Sequence, residues 1–194
     1  MFYRPEDGHG LPHNPFGAIV TPRPIGWIST TGAQGDNLAP YSFFNAVAYA
    51  PPQVMFASTG VKDSLTNLRD TGVFAVNIVA ACQLQQMSDT SAALPHGTDE
   101  FAAADVAKAL CTTITCPRVE GSPATLECRV TQIITLQGNS NFLILGTVTG
   151  IHLRDDCLVD GRFDVTRFQP VGRLGYRDYV LVRDVVDLAR PGES

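Results

Sequence analysis

The chain has 194 residues, 44% of them hydrophobic, and a formal net charge of −5. That length and apolar content suit one compact domain with a full core. The acidic balance excludes the basic surplus that nucleic acid or an anionic membrane surface requires, so small molecules and other protein chains are the expected partners.

The N-terminal stretch "MFYRPEDGHGLPHNPFG" has no apolar core of signal-peptide length, and no later segment approaches a membrane span; a cytoplasmic protein without membrane contact is the expectation. Pro, Gly and His dominate the first residues without a period, which predicts an arm over residues 1–15 of a single domain spanning 1–194, with 181–194 as a C-terminal tail. "GWISTT" from Gly26, "QVMFAS" from Gln53 and "FAVNIVA" from Phe74 are short apolar or β-branched runs closed by turn residues, and each predicts a strand. Between the second and third, "VKDSLTNLRDTG" predicts a short helix capped by Asp63 or Ser64 and closed by Gly72. "GDNLAPYSFFN" fits neither helix nor regular strand, because Pro40 leaves a strand end irregular.

Residues 82–110 are rich in Ala, Gln and Met and broken by Pro95 and Gly97, which predicts two short helices around a loop. In "ATLECRVTQI" Leu126, Cys128 and Val130 alternate with Glu127, Arg129 and Thr131, the period of a strand with one buried face. "QGNSN" then turns the chain into "FLILGTVTGIHL", a second long strand whose Gly146 and Gly150 predict bulges of the kind a small barrel needs. The expected fold is mainly β, an antiparallel barrel with short helical insertions.

Several chemistries are excluded by what is missing. There is no P-loop, no G-x-G-x-x-G between strand and helix, and no G-x-S-x-G elbow. His9 and His13 stand four apart, but Gly8, Gly10 and Pro12 prevent the helix that would make them chelate, and no metal is expected. Five cysteines without a C-x-x-C pair suit neither a disulfide framework nor a zinc knuckle and read as idle thiols in a reducing compartment. What remains is an anion site. Ser58, Lys62, Ser64 and Asn67 surround a helix start, where free amides and the dipole attract phosphate, although most such ends are simply capped. Arg23 in the rigid "PRP" turn, with Ser29 and Thr30 on the next strand, is a second donor supply that two-point recognition of one ligand would use. Asn37, Ala39 and Ser42 offer hydrogen bonds to a planar heterocycle, with Trp27, Tyr41, Phe43 and Phe44 as its walls; for Trp27 and Phe43 taken singly, a place in core or rim is the better reading.

The blocks "RPIGWIST", "NLAPYSFFN" and "KDSLTNLRDTGVFAVN", followed by "LEC", "GTVTGIH" and "VGRLGYRDY", together resemble the flavin reductase-like FMN-binding family of split-barrel fold, in order from about Pro15 to Tyr179. The resemblance implies a split β-barrel homodimer that binds FMN non-covalently near the subunit interface and uses NADH or NADPH as electron donor. Arg23, Pro24, Trp27, Ser29 and Thr30 match the family's first FMN-contacting segment; Asn37, Ala39 and Ser42 match the segment beside the isoalloxazine; Ser58, Lys62, Asp63 and Ser64 match the phosphate loop, with Asn67 a weaker match. Arg173 and Tyr179 match the C-terminal block, but Gly175 is followed by Tyr176 where the family usually has a second Gly, which bears on the substrate side. The implied activity is NAD(P)H-dependent flavin reduction, with a monooxygenase, free flavin or another acceptor as partner. The alternatives are a flavoredoxin-like electron carrier with tightly held FMN, and a split-barrel dimer that binds another ligand.

Overall fold

The computed structural model describes residues 1–138 and 140–192. Asn139, within the expected "QGNSN" turn, and Glu193 and Ser194, at the end of the expected tail, lie outside the described residues. A single 3-10 turn, Pro5–Asp7, interrupts the arm before helix α1 (Phe16–Ile19) and strand β1 (Arg23–Pro24). Strands β2 (Gly26–Gly32), β3 (Gly35–Tyr41), β4 (Phe44–Tyr49) and β5 (Pro52–Thr59) follow, then helix α2 (Asp63–Thr71) and β6 (Val73–Ile78). Helices α3 (Leu84–Asp89) and α4 (Glu100–Ala103) flank a loop, and β7 (Lys108–Ala109) and β8 (Arg118–Val119) form a small hairpin. The long strands β9 (Ala124–Thr135) and β10 (Asn141–Leu153) lead to a minor pair, β11 (Leu158–Val159) and β12 (Arg162–Phe163), and to β13 (Val171–Arg173) and β14 (Tyr179–Leu181).

Seven strands form one antiparallel sheet in the order β3, β2, β6, β9, β10, β5, β4. Its two outermost strands, β3 and β4, are separated in the chain by only Ser42 and Phe43, so the sheet must curl until its edges meet. No ladder joins β3 to β4, and the result is a split β-barrel, mainly β with short helices. Both glycines of β10 sit at register shifts against β9, as their positions predicted. At Gly146 the neighbour decides the residue: a Cβ there would lie 2.5 Å from Cζ of Phe74. Gly72, at φ +67°, closes α2 with its amide on the Leu68 carbonyl.

The alternation of β2 divides the core. Ile28 faces the barrel interior with Phe56, Phe74 and Ile144 and with Leu65 and Leu68 of α2, while Trp27 faces outward under α3 and α4 with Leu38, Met87 and Phe101. Trp27, Phe56 and Phe74 are wholly buried, and each such side chain stabilises the fold by about 2–3 kcal/mol. A three-stranded sheet, β1, β13 and β14, ties the C-terminal region to the start of the barrel. The expected tail begins inside β14; Val182 still donates to the Pro170 carbonyl, and beyond it Val186 and Leu188 are exposed.

Three local expectations require correction. "GDNLAPYSFFN" contains a full strand, β3, which tolerates Pro40 because it is an edge of the sheet. The N-cap of α2 is Lys62, without a side-chain cap from Asp63 or Ser64. Glu127, placed by alternation on the open face of its strand, is completely buried.

Candidate functional site

A cavity of about 350 Å³ opens between the edge strand β3, the start of α2 and the connection from α3 to α4. It is lined by residues 37, 39–41, 62–64, 90–94, 96 and 100, so five of the expected ligand residues meet there: Asn37, Ala39, Lys62, Asp63 and Ser64. Its volume lies within the range of small-molecule and cofactor sites.

One wall of the cavity is a connected polar network. The Ser64 hydroxyl donates to Oδ1 of Asn37 (2.5 Å), whose Nδ2 donates to Oε2 of Glu100 (2.9 Å), and the same oxygen accepts the Leu38 amide (3.0 Å). Glu100 thus occupies the free amide of the edge strand from the side, and Pro40, two residues on, has no amide to offer there. Burial raises the Glu100 carboxyl above its usual range, against the opposing effect of its donors. Beside this network the Tyr41 hydroxyl is buried and has no hydrogen-bond partner among the described residues. Burial raises it in turn, against the opposing effect of the neighbouring Ser64 and Ser58 hydroxyls, neither of which reaches hydrogen-bonding geometry with it.

The start of α2 is equally incomplete. Asp63 does not cap it: one carboxylate oxygen meets Nδ1 of His96, and the other accepts the Gly97 amide at 2.9 Å, which fastens the 90–97 loop across the cavity. The first-turn amides therefore lack a side-chain acceptor, and Lys62 stands next to them with a full positive charge.

The remaining expected residues are placed elsewhere. Arg23, Pro24 and Ser42 line a second, more apolar cavity of about 390 Å³ with Phe16, Phe43 and Met55. Two Arg23 nitrogens are committed to the carbonyls of Gly17, Val20 and Leu174, clamping α1 and the C-terminal block to β1. Burial and the neighbouring Arg173 both lower its basicity. Lys62 and Arg23 therefore do not share a cavity within one chain.

Trp27, Ser29 and Thr30 are fully buried: the Trp27 indole donates to Thr90 (2.9 Å), Ser29 donates to the Pro117 carbonyl (2.6 Å), and Thr30 accepts from Asn67 (3.2 Å). Ser58 is buried behind the loop it closes, donating to the Gly60 carbonyl (3.2 Å). Arg173 lies over the Tyr179 ring at 4.5 Å, and Tyr176 packs edge-on against His13. None of the three borders the Lys62 cavity.

A family model described as the flavin reductase like domain matches residues 18–168. The chain belongs to the flavin reductase like family. A relative in Deinococcus radiodurans, described as an uncharacterized protein, is 38% identical over 187 residues, covering 89% of this chain and 82% of the relative. Among solved structures, nitrilotriacetate monooxygenase component B from Bacillus cereus superposes with a TM-score of 0.86 at 25% identity, over 93% of this chain and 100% of that one. The 2-nitrobenzoate 2-nitroreductase NbaA of Pseudomonas fluorescens gives 0.82 at 29% identity, over 91% and 88%. Flavin-related oxidoreduction is accordingly the class of chemistry of this flavin reductase-like protein.

Within that family frame, sequence reasoning missed Glu100, His96 and the 90–94 segment. Glu100 reads as an ordinary first-turn acid after the N-cap Asp99, and only the approach of α4 to β3 brings it to the cavity. Among the described residues, no helix is long and apolar enough to cross a membrane.

Proposed function

We propose that this chain binds FMN in the Lys62 cavity and acts as an NAD(P)H-dependent flavin reductase, passing electrons to a monooxygenase, free flavin or another acceptor. The observation that carries the reading is the uncapped start of α2 with Lys62 beside it, facing a wall where the Tyr41 hydroxyl is buried without a partner among the described residues. A buried hydroxyl left unmade is costly, and a polar ligand group supplies what the protein does not. Bound FMN would supply the redox centre, accepting hydride from the nicotinamide.

The chain's own residues bind and orient. Lys62, the Ser64 hydroxyl and the first-turn amides of α2 attract a phosphate; Tyr41 offers a hydroxyl to a polar atom of the ligand; the Asn37, Ser64 and Glu100 network fixes the edge strand against which a planar ring rests. The 90–97 loop, held by Asp63, limits water at that ring. The absence of a triad or carboxylate pair from the sequence motifs accords with hydride transfer that depends on positioning. The reading includes a single working domain and a homodimer in which a second copy covers the exposed Phe16, Val20 and Phe43.

The test is the visible spectrum of the purified protein with added FMN, followed by anaerobic NADH and then NADPH in the same cuvette. Rapid bleaching with either nucleotide supports the reductase and names its donor. Bound FMN that resists both but is reduced by dithionite moves the flavoredoxin-like carrier ahead, and absence of FMN binding ends the cofactor assignment.

A further inference from the structure

The small hairpin outside the barrel carries chemistry that the flavin reading does not use. Strands β7 and β8 pair with Lys108 opposite Val119 and Ala109 opposite Arg118, closing a loop from Leu110 to Pro117. The ladder ends at that pair, and Cys111 and Cys116 are each the second residue inside the loop, one from either end. A disulfide requires Cα atoms about 4.4–6.8 Å apart, a span that a closed hairpin loop offers to residues facing each other across its base.

The side chains agree with this placement. Cys116 is buried with Val73, Ala75 and Ile114, and Cys111 packs against the same cluster while keeping part of its surface open. The neighbouring Cys111 thiol, together with burial, pushes Cys116 up. Both ends of the loop are held in place: Arg118 donates to the Leu110 carbonyl, and the Thr112 and Thr113 amides are fixed by Glu127. The other three cysteines lie outside this cluster. Cys82 is exposed on the turn before α3, while Cys128 and Cys157 are fully buried in separate clusters.

We propose that Cys111 and Cys116 are a peroxide-oxidisable dithiol that closes into an intraloop disulfide. The accessible Cys111 thiolate attacks hydrogen peroxide, breaking the O–O bond and leaving Cys111 as a sulfenic acid with release of one water. The Cys116 sulfur then attacks the sulfenic sulfur, forming the S–S bond and releasing a second water. The two thiols give up two electrons and two protons in all, and the peroxide takes both. The disulfide would close a ring around Thr112 and Thr113, the residues whose amides Glu127 holds, and so fix the loop to the barrel in the oxidised state.

The test uses the full chain. Trypsin cuts after Lys108 and after Arg118 and nowhere between, so both cysteines fall on one peptide, residues 109–118, with no third cysteine. After hydrogen peroxide, unfolding with an alkylating reagent and digestion, that peptide should be lighter by two hydrogens and carry no alkyl group, and dithiothreitol should restore two alkylations. Cys82, Cys128 and Cys157 should remain alkylated throughout. The proposal is overturned if both loop cysteines remain alkylated after peroxide, if Cys111 instead joins Cys128, or if Cys111 passes to a sulfinic acid while Cys116 stays free. In Cys116→Ser the Cys111 sulfenic acid should accumulate and be trapped by a cyclic 1,3-diketone; an untrapped Cys111 would show that it is not the attacking sulfur and would equally overturn the assignment.

Discussion

Glu100 and Glu127 are both nearly or wholly removed from solvent, at 8% and 0% exposure, yet their environments move them in opposite directions. At Glu100 burial, with a smaller push from Asp63, raises the carboxyl against the Leu38 amide, its own amide and the Asn37 side chain. At Glu127 burial is outweighed by the Thr113 hydroxyl, His152 and the Thr112 and Thr113 amides, which hold it at about 2. A saturated carboxylate is a structural clasp; an undersupplied one beside a cavity belongs to a site that a ligand completes. The contrast separates the two ends of the molecule: the outside of β9 and β10 is satisfied, while the α2 end has donors and acceptors to spare.

The largest expected effect comes from breaking the satisfied end. Glu127→Ala leaves two loop amides and His152 without their acceptor, and should cost about 3 kcal/mol of stability in urea unfolding. Because the folded carboxyl is depressed, its contribution is present above the unfolded value of 4.5 and is lost as pH falls through about 2. The wild type should therefore weaken steeply over that acid interval. Glu127→Gln should show a flatter acid profile, and identical profiles would remove Glu127 as its source.

At the open end, Lys62→Ala should weaken FMN binding about 10- to 100-fold, the range for losing a hydrogen bond to a charged group, with little change in stability. Arg23→Ala should do the reverse, lowering the unfolding midpoint by freeing the Gly17, Val20 and Leu174 carbonyls while leaving affinity within about threefold. Fluorescence titration and thermal unfolding of the two variants together decide the matter. Equal losses of affinity would mean that the two cavities act on one ligand after all.

Tyr41→Phe sharpens the same comparison on a smaller scale. Removing a buried hydroxyl that has no partner among the described residues should leave the ligand-free protein as stable as before or more stable, by up to about 1 kcal/mol, while FMN affinity falls about fivefold. A loss of stability without ligand would instead place that hydroxyl in a bond with Ser58 or Ser64, and the Lys62 cavity would lose its clearest sign of a missing partner.

How far the sequence discloses these two ends follows from the physics of each element. Period-two alternation, the glycines of β10 and the closing Gly72 act through local backbone geometry, so the barrel strands and α2 were legible. Glu127 was misplaced because alternation reports faces of an ideal sheet, and the 112–113 loop covers the face that a bare sheet would expose. The strand β3 was hidden by Pro40, which only its edge position tolerates. Lys62 and Ser64 reached the cavity because they stand two residues apart at a helix start, whereas Glu100, from a distant helix of four residues, had no local signal. Ser29 and Thr30 carried donor chemistry but no sign of their burial, which is a property of the assembled fold.

Glu100→Gln gives the smallest shift and the most direct reading of sign. Glutamine keeps an acceptor for the Leu38 amide, so the change in stability at neutral pH should stay within about 1 kcal/mol. The effect to follow is the slope. A carboxyl raised in the folded state binds its proton more tightly there, so its contribution should grow as pH falls from the raised folded value toward the unfolded value of 4.5, and should be lost again as pH rises through the raised value. This opposes the Glu127 slope, and the two windows meet near 4.5. Subtracting the Glu100→Gln profile from the wild type should therefore leave a curve that rises toward acid, whereas subtracting that of Glu127→Gln should leave one that falls. If the Glu100 difference also fell toward acid, its carboxylate would be as fully satisfied as that of Glu127, and the open wall of the cavity would be closed by groups of the protein itself.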